Sequence, residues 1–290
     1  MIIVLTGPTG VGKSRLAISL AQKLNGAIIN ADAFQVYQEL NIATAKPTLE
    51  ERSLAPHFLY DFVPLTKDYD VESYQKDVRG LIGKLEKEYP YLIIAGGTGL
   101  YIRAALYDYE FSEDVEVDLS SYEAMDETRL YEELKAIDPE SAKKIHPHNR
   151  RRVLRAIEIY LATGRKKSDI EKEQTHAPIF PCKFFGLNKE REDIYAACNE
   201  RVDKMFEQGL LDENRALLDK YGETPHAFQA IGVKETFPYF KGEATLDVTK
   251  ELIKKNTRNY VKRQLTFFAH QFDLTYVSSE EEILSALGLK

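Results

Sequence analysis

The chain has 290 residues, 43 % of them hydrophobic, 29 % charged and 11 % aromatic; that length suits about two domains, and the composition excludes a peptide, a fibrous repeat and a largely disordered chain. A formal charge of −7 argues against a protein that coats nucleic acid by bulk charge alone. The longest apolar runs, 1–5 and 91–95, fall far short of the roughly 20 residues of a membrane span; with no basic leader ahead of Gly7 and only two cysteines, Cys182 and Cys198, the expectation is a soluble, cytoplasmic protein with neither a disulfide framework nor a zinc site.

Short apolar runs alternate with helical stretches through the first hundred residues. The pattern predicts strands at 1–5, 27–30, 58–63 and 91–95, a helix over 14–24 and a long amphipathic helix over 71–89. Each run is too short and too uniformly apolar for an exposed strand, so the expected fold class is α/β, a parallel sheet flanked by helices. From 103 to 178 the composition turns acidic and helical, and this segment is read as a helical insertion domain within a core domain of residues 1–102 and 179–290. A strand at 184–187 returns to the sheet, and helices over 191–221 and 249–272 complete it.

Charge is polarised along the chain. Residues 108–133 hold eleven Asp or Glu and one basic residue, Arg129, whereas residues 143–167 hold nine Lys or Arg and one acid, Glu158. Within the latter, a helix over 149–163 ending at Gly164 places Arg151, Arg152 and Arg155 opposite an apolar face. Lys250, Lys254, Arg258 and Lys262, spaced by four, form a second stripe on a helix. A solvated helix face accounts for either stripe equally well.

Gly7-Pro8-Thr9-Gly10-Val11-Gly12-Lys13-Ser14 fits the phosphate-loop pattern, with an apolar strand before it and an amphipathic helix after it. Such a loop turns backbone N–H groups around phosphate oxygens, adds the Lys13 charge and the helix dipole, and lets the Ser14 hydroxyl hold Mg²⁺. The sheet is therefore expected to be P-loop NTPase-like, while the pattern leaves open which phosphate compound it holds. Where phosphate-loop hydrolases carry a metal-holding acid at a later strand end, this chain has Gly96-Gly97-Thr98-Gly99-Leu100-Tyr101. Thr98 can hydrogen-bond a phosphate or an acceptor, or cap the next helix. The acid nearest the loop is Asp32, at the carboxyl end of the second strand, where three roles are open to it: general base, metal-shell ligand or helix cap.

Taken together, these segments resemble the tRNA dimethylallyltransferase (tRNA isopentenyltransferase) family, bacterial type. That family carries, in order, a GPTxxGK loop, a DSxQVY segment leading to TAKP, a GGTxLY turn, a basic RxxRA helix and a late TRxYxKRQ helix. Here stand Asp32-Ala33-Phe34-Gln35-Val36-Tyr37, Thr44-Ala45-Lys46-Pro47, the turn at Gly96, Arg152-Val153-Leu154-Arg155-Ala156-Ile157-Glu158, Arg201-Val202-Asp203-Lys204-Met205 and Thr257-Arg258-Asn259-Tyr260-Val261-Lys262-Arg263-Gln264. The resemblance spans nearly the whole chain.

It implies transfer of the five-carbon group of dimethylallyl diphosphate to N6 of the adenosine just 3′ of a tRNA anticodon, position 37, with release of pyrophosphate. Asp32 takes the amine proton, Thr98 contacts the phosphates, and Gly7 through Ser14 bind the diphosphate with Mg²⁺ at Ser14. The expected tRNA contacts are Asp32, Ala33, Phe34, Gln35, Lys46, Arg151, Arg152, Arg155, Lys254, Arg258 and Lys262, of which Gln35 and Lys46 discriminate among tRNAs. The implied partners are the tRNA anticodon stem-loop and dimethylallyl diphosphate, with no membrane and no obligate protein partner. An adenine in that loop must be splayed out to reach a deep site.

The chain departs from the family pattern at Ala33, Gln229, Val233 and Phe267, where Ser, Arg, Tyr and Trp are usual; Gln229 offers no charge, so no catalytic role is carried onto it. Two other readings share the loop: a small P-loop kinase of a nucleoside or metabolite, which consumes ATP, and a non-catalytic RNA-binding protein that senses nucleotide. The basic helices and the missing strand-end acid favour the transferase.

Overall fold

The computed structural model describes residues 1–111, 117–174, 177–187 and 189–289; part of the acidic run expected over 108–133 lies outside them. The chain divides into two compact units, residues 1–106 with 180–290, and residues 107–179.

In the first unit six strands form one parallel sheet: β1 (Ile2–Thr6), β2 (Ala27–Asn30), β3 (His57–Phe58), β4 (Leu92–Ala95), β5 (Cys182–Leu187) and β6 (Thr275–Val277), in the order β3-β2-β4-β1-β5-β6. The central strands read IIVLT, AIIN and LIIA, and every residue in them is buried, as strands covered on both faces require. Register aligns their carboxyl ends: Leu5 and Asn30 each pair with Ala95, and Thr6 pairs with Gly186. The turns after β1, β2 and β4 therefore emerge side by side, which brings the phosphate loop, Asp32 and the glycine-rich turn together.

Helices α1 (Lys13–Leu24), α2 (Leu49–Ser53), α3 (Val71–Leu85) and α4 (Gly99–Leu106) follow β1 to β4. α1 buries Ala17, Ile18, Leu20 and Ala21 in one cluster with Ile3, Leu5, Ile28 and Ile93, each fully buried large aliphatic contributing roughly 1.5–3 kcal/mol. α3 starts at Asp70, whose side chain accepts from Ser73 N, and ends at Leu85, four residues before the expected end. The expected boundary at 103 falls inside α4, which stays buried through Leu106.

The strand expected over 58–63 is confined to His57–Phe58, with one isolated bridge from Tyr37 to Val63. Leu59 and Asp61 have φ of 62° and 59°, and a ladder cannot run through two left-handed residues. β6 was not anticipated: Thr275 and Tyr276 are exposed and only Val277 is buried, so no apolar run marks it.

The unit of residues 107–179 contains α5 (Ser120–Glu123), α6 (Glu127–Ile137), α7 (Pro139–Lys144), α8 (Arg150–Thr163) and α9 (Lys167–Glu173). Its core is Leu130, Leu134, Ala142, Ile145, Val153, Ala156 and Ile157. α8 is capped by Asn149 and ends at Gly164, φ 68°. The buried Asp138 accepts from Ser141 N at 3.0 Å and Ser168 N at 2.9 Å, tying the starts of α7 and α9 to one carboxylate. Burial pushes Asp138 up, but hydrogen bonds from Ser141 and Ser168 outweigh it and pull the carboxyl down to about 2.

After β5 the first unit resumes with α10 (Arg191–Glu207), α11 (Leu210–Tyr221), α12 (Phe237–Phe240), α13 (Leu246–Gln271) and α14 (Glu280–Ala286). The helix expected over 191–221 is two helices, broken at Gly209, whose φ of 96° is closed to most side chains. Among the described residues no helix is long and apolar enough to cross a membrane.

Candidate active site

A cavity of about 770 Å³ opens at the carboxyl ends of β1, β2 and β4, lined among others by Thr9 to Ser14, Asp32, Gln35, Tyr60, Gly96, Gly97 and Arg201. The three turns are laced together by backbone: Ala31 N donates to Ala95 O at 2.9 Å, Gly96 N to Leu5 O at 3.3 Å and Thr98 N to Ala31 O at 3.0 Å. At Gly96 a Cβ would lie 2.1 Å from Ala31 O, so only glycine allows the β2 and β4 turns to meet.

The phosphate loop has Gly7, Gly10 and Gly12 at positive φ. Gly7, Pro8 and Val11 are buried, while Gly12 and Ser14 are exposed at the start of α1. Lys13 Nζ donates to Gly7 O and Pro8 O, 2.8 Å each, and closes over its own loop. Burial lowers the Lys13 ammonium to about 8, opposed by the nearby Asp32 carboxylate and assisted by Arg201. Arg201, from α10, donates Nη1 to Thr9 Oγ1 at 2.7 Å and Nη2 to Thr44 O at 3.5 Å. Burial lowers its guanidinium too, with Asp32 opposing. Two desolvated cations thus line one cavity together with Asp32, the carboxylate that opposes the shift of both.

Asp32 follows β2 in a turn locked from both sides. Asn30, fully buried, accepts Asp32 N through Oδ1 at 2.9 Å and donates Nδ2 to Asp32 O at 3.0 Å, and Tyr74 OH donates to Asn30 O at 2.7 Å. Asp32 Oδ1 accepts Phe34 N at 3.0 Å, while Oδ2 has no protein partner among the described residues. Of the three roles open to Asp32, that of helix cap is removed, since no helix follows until α2.

Thr98 stands behind the glycines of its turn. Its hydroxyl oxygen accepts Ala33 N at 3.0 Å, so it holds the Asp32 turn, and Gly96 and Gly97 face the cavity in its stead. Gln35 lines the cavity and donates Nε2 to Thr44 O and Ala45 O at 3.0 and 3.3 Å. Lys46, expected at the RNA, is a correction: its side chain is 1 % exposed and Nζ donates to Tyr37 O at 2.6 Å, Asp61 Oδ1 at 2.7 Å and Asn41 Oδ1 at 3.0 Å. All three ammonium protons are engaged, so Lys46 is a strut of the 41–46 segment and not a free cation.

The two basic stripes differ. On α8, Arg151 and Arg152 are exposed and have no protein partner among the described residues, and Arg155 pairs with Glu158 at 2.9 Å. On α13 the stripe packs against α10: Lys254 pairs with Asp203 at 2.9 Å, Arg258 Nη1 donates to Asn199 Oδ1 at 2.6 Å and Lys250 lies 5.0 Å over the Phe206 ring. Only Lys262 of this stripe is exposed without a partner among the described residues. Lys254 and Arg258 thus each hold a partner on α10, which sets them apart from Arg151 and Arg152.

The sequence reading gives no role to Arg201 or Gln264. Gln264, buried on α13, accepts Thr9 N through Oε1 and donates Nε2 to Gly97 O, 3.0 Å each, bridging the phosphate loop to the glycine-rich turn. A signal was present: Thr257, Val261, Gln264 and Phe268 share one buried face, and a glutamine on such a face needs partners. Glu213 of α11 is a third, its carboxylate accepting the N–H groups of Asn41, Ile42 and Ala43 at 2.9–3.1 Å.

The family described as IPP transferase matches residues 35–271. The chain belongs to that family. It is 45 % identical to a tRNA dimethylallyltransferase of Anoxybacillus flavithermus, over 94 % of this chain and 90 % of that one, and 43 % identical to that of Geobacillus thermodenitrificans, with the same coverage. Among solved structures it resembles the tRNA delta(2)-isopentenylpyrophosphate transferase of Staphylococcus epidermidis, with a TM-score of 0.73, 37 % identity and coverage of 99 % and 97 %. A eukaryotic dimethylallyltransferase captured acting on tRNA gives a TM-score of 0.84 at 31 % identity, covering 98 % of this chain and 75 % of that one. Of the chain's departures from the family pattern, Gln229 is exposed and Val233 is fully buried.

Proposed function

We propose that the protein transfers the dimethylallyl group of dimethylallyl diphosphate to N6 of the adenosine 3′ of a tRNA anticodon, in the cytoplasm. The observation that carries this reading is the shared cavity: two cations on the phosphate loop side and, facing them, a carboxylate oxygen with no protein partner. A kinase can use both cations and base; the glycine-rich turn at Gly96, where a metal-holding acid would stand, favours the transfer to an amine.

In the reaction the bond between the allyl carbon and the diphosphate oxygen breaks, and its electron pair leaves with pyrophosphate. Lys13 and Arg201 neutralise the charge that develops there. The N6 lone pair forms the new N–C bond, and Asp32 Oδ2 accepts the displaced N6 proton. Phe34 N holds that carboxylate through Oδ1, Asn30 fixes the Asp32 backbone, and Thr98 fixes the backbone after it.

Among the described residues no cluster of three or more His, Cys, Asp or Glu could hold a metal. Magnesium bound through one or two protein oxygens together with substrate phosphates needs no such cluster, and the exposed Ser14 hydroxyl at the start of α1 fits that role. Bound there with the diphosphate, Mg²⁺ would add charge neutralisation at the leaving group. Arg151 and Arg152 on the insertion helix are proposed to hold RNA phosphates, assisted by Arg155 and by Lys262.

The test is direct. Bulk tRNA incubated with dimethylallyl diphosphate and Mg²⁺, without ATP, then digested to nucleosides, is expected to yield adenosine carrying a C₅H₈ increment by mass spectrometry. Absence of that increment, or its dependence on ATP, contradicts the proposal and returns a kinase or a nucleotide sensor as the reading.

A further inference from the structure

Among the described residues Tyr60 is the one tyrosine that lines the cavity, and the proposed mechanism leaves it without work. Its ring is anchored, meeting His57 edge-on with centroids 5.4 Å apart and packing against the cluster of Ile18, Ala55 and Ile28. Its hydroxyl has no protein hydrogen bond among the described residues, yet the residue lines the cavity with Asp32 and Gln35. A phenol in such a place that finds no partner in the protein is one that a ligand can satisfy.

Which ligand follows from the charges around it. The charged groups that Lys13 and Arg201 sense are Asp32 and, for Lys13, Arg201; those that Tyr60 senses are Asp32 and Arg52. Arg52 is paired with Asp61 at 3.3 Å. Asn30 Nδ2 donates to Leu59 O at 2.9 Å and Asp61 N donates to Gln35 O at 3.1 Å, so the residues on either side of Tyr60 are bonded to the turn that carries Asp32 and Gln35. Burial and the Asp32 carboxylate both push the Tyr60 phenol up, so it keeps its proton and acts as a donor. A donor held against the turn that carries the proposed proton acceptor is placed to meet the nucleobase, whose ring nitrogens N1 and N7 flank C6 and accept hydrogen bonds.

We infer that Tyr60 is an acceptor-binding residue, donating its hydroxyl to N1 or N7 of the splayed adenine and so aligning N6 between Asp32 and the allyl carbon. The inference rests on the transferase reading above and adds the residue that recognises the base. It gives the site a means of discriminating adenine by a ring nitrogen and not by the amine alone.

The experiment is a cycle of one enzyme atom against one substrate atom. Anticodon stem-loop RNAs carrying adenosine, 1-deazaadenosine or 7-deazaadenosine at the acceptor position are assayed with the parent enzyme and with Tyr60→Phe. Tyr60→Phe keeps the anchored ring. It is expected to lower kcat/KM for the adenosine RNA about 5- to 20-fold, the range of one hydrogen bond in a desolvated site, with KM for dimethylallyl diphosphate within about twofold of the parent. The parent is expected to lose a similar factor on one of the two deaza RNAs, and Tyr60→Phe to lose no more on that RNA than it has already lost.

Losses that multiply on both deaza RNAs, or a Tyr60→Phe effect confined to KM for the diphosphate, overturn the inference. So does a parent enzyme indifferent to both deaza substitutions, a result that needs no variant to fold. A parent enzyme inactive on the adenosine RNA itself overturns the transferase reading instead, which keeps the two failures apart.

Discussion

The sheet end of the first unit and the α8 face of the inserted unit both carry basic residues, but they use them in opposite ways. At the sheet end Lys13 and Arg201 are enclosed, their ammonium and guanidinium lowered by burial and their protons already directed at Gly7, Pro8, Thr9 and Thr44. On α8, Arg151 and Arg152 stand in solvent with no protein partner among the described residues. Enclosed charge is strong and local, since desolvation raises every electrostatic interaction; exposed charge is weak, additive and screened by salt. The difference teaches that loss of a sheet-end cation should abolish one step, whereas loss of an insertion arginine should only weaken adhesion.

The largest effect that sharpens this contrast is Lys13→Ala, expected to raise the Kd for dimethylallyl diphosphate by roughly 10²-fold, as loss of one partner of a buried charge pair does. Affinity for tRNA, measured by filter binding, is expected to stay within about twofold. A fall in tRNA affinity instead would put the loop at the RNA.

The inserted unit depends on a buried anion of its own. Asp138, held at about 2 against an ordinary 3.8, stabilises that unit by about 2 kcal/mol above pH ~4. Because its folded pKa is depressed, this contribution is complete above 3.8 and is lost as pH falls through about 2. Asp138→Asn should therefore lower the thermal midpoint at pH 7, and the gap to the parent should close as pH falls through that window. A gap independent of pH would remove the carboxylate charge from the account.

Lys13 also titrates within reach of ordinary buffers, at about 8. The charged form binds phosphate, so affinity for pyrophosphate should be full below pH 8 and decline above it by up to about tenfold per pH unit. In Lys13→Arg the inflection should disappear, because a guanidinium stays charged there. An unchanged profile in Lys13→Arg would assign the titration elsewhere.

The smallest effect compares the two basic stripes directly. Arg152→Ala should reduce the log–log salt slope of tRNA binding by up to about 1, alike for every tRNA. Lys254→Ala, which removes a cation already paired with Asp203, should leave that slope unchanged. Identical behaviour of the two variants would dissolve the distinction drawn between α8 and α13.

That distinction marks the limit of what could be read along the chain. The spacing of Lys250, Lys254, Arg258 and Lys262 fixes that they share a helix face, but the partners of the first three lie about fifty residues earlier on α10, and periodicity holds no information on a distant partner. Lys46 is the same case, its anion being Asp61. The phosphate loop and Asp32 were legible because strand, turn and helix follow one another locally. β6 and the short β3 were not: one has no apolar run, and the other is cut by left-handed Leu59 and Asp61. Arg201 and Gln264 reach the loop from α10 and α13, so only the folded chain brings them to Thr9.

The central claim, that cation cradle and proton acceptor are separate parts of one cavity, is tested most directly by Asp32→Asn in single-turnover transfer to a tRNA anticodon stem-loop. The predicted result is a transfer rate lower by about 10²–10⁴-fold, with the Kd values for pyrophosphate and for the stem-loop each within about threefold of the parent. A near-normal transfer rate, or a loss that follows entirely from weakened pyrophosphate binding, would contradict it.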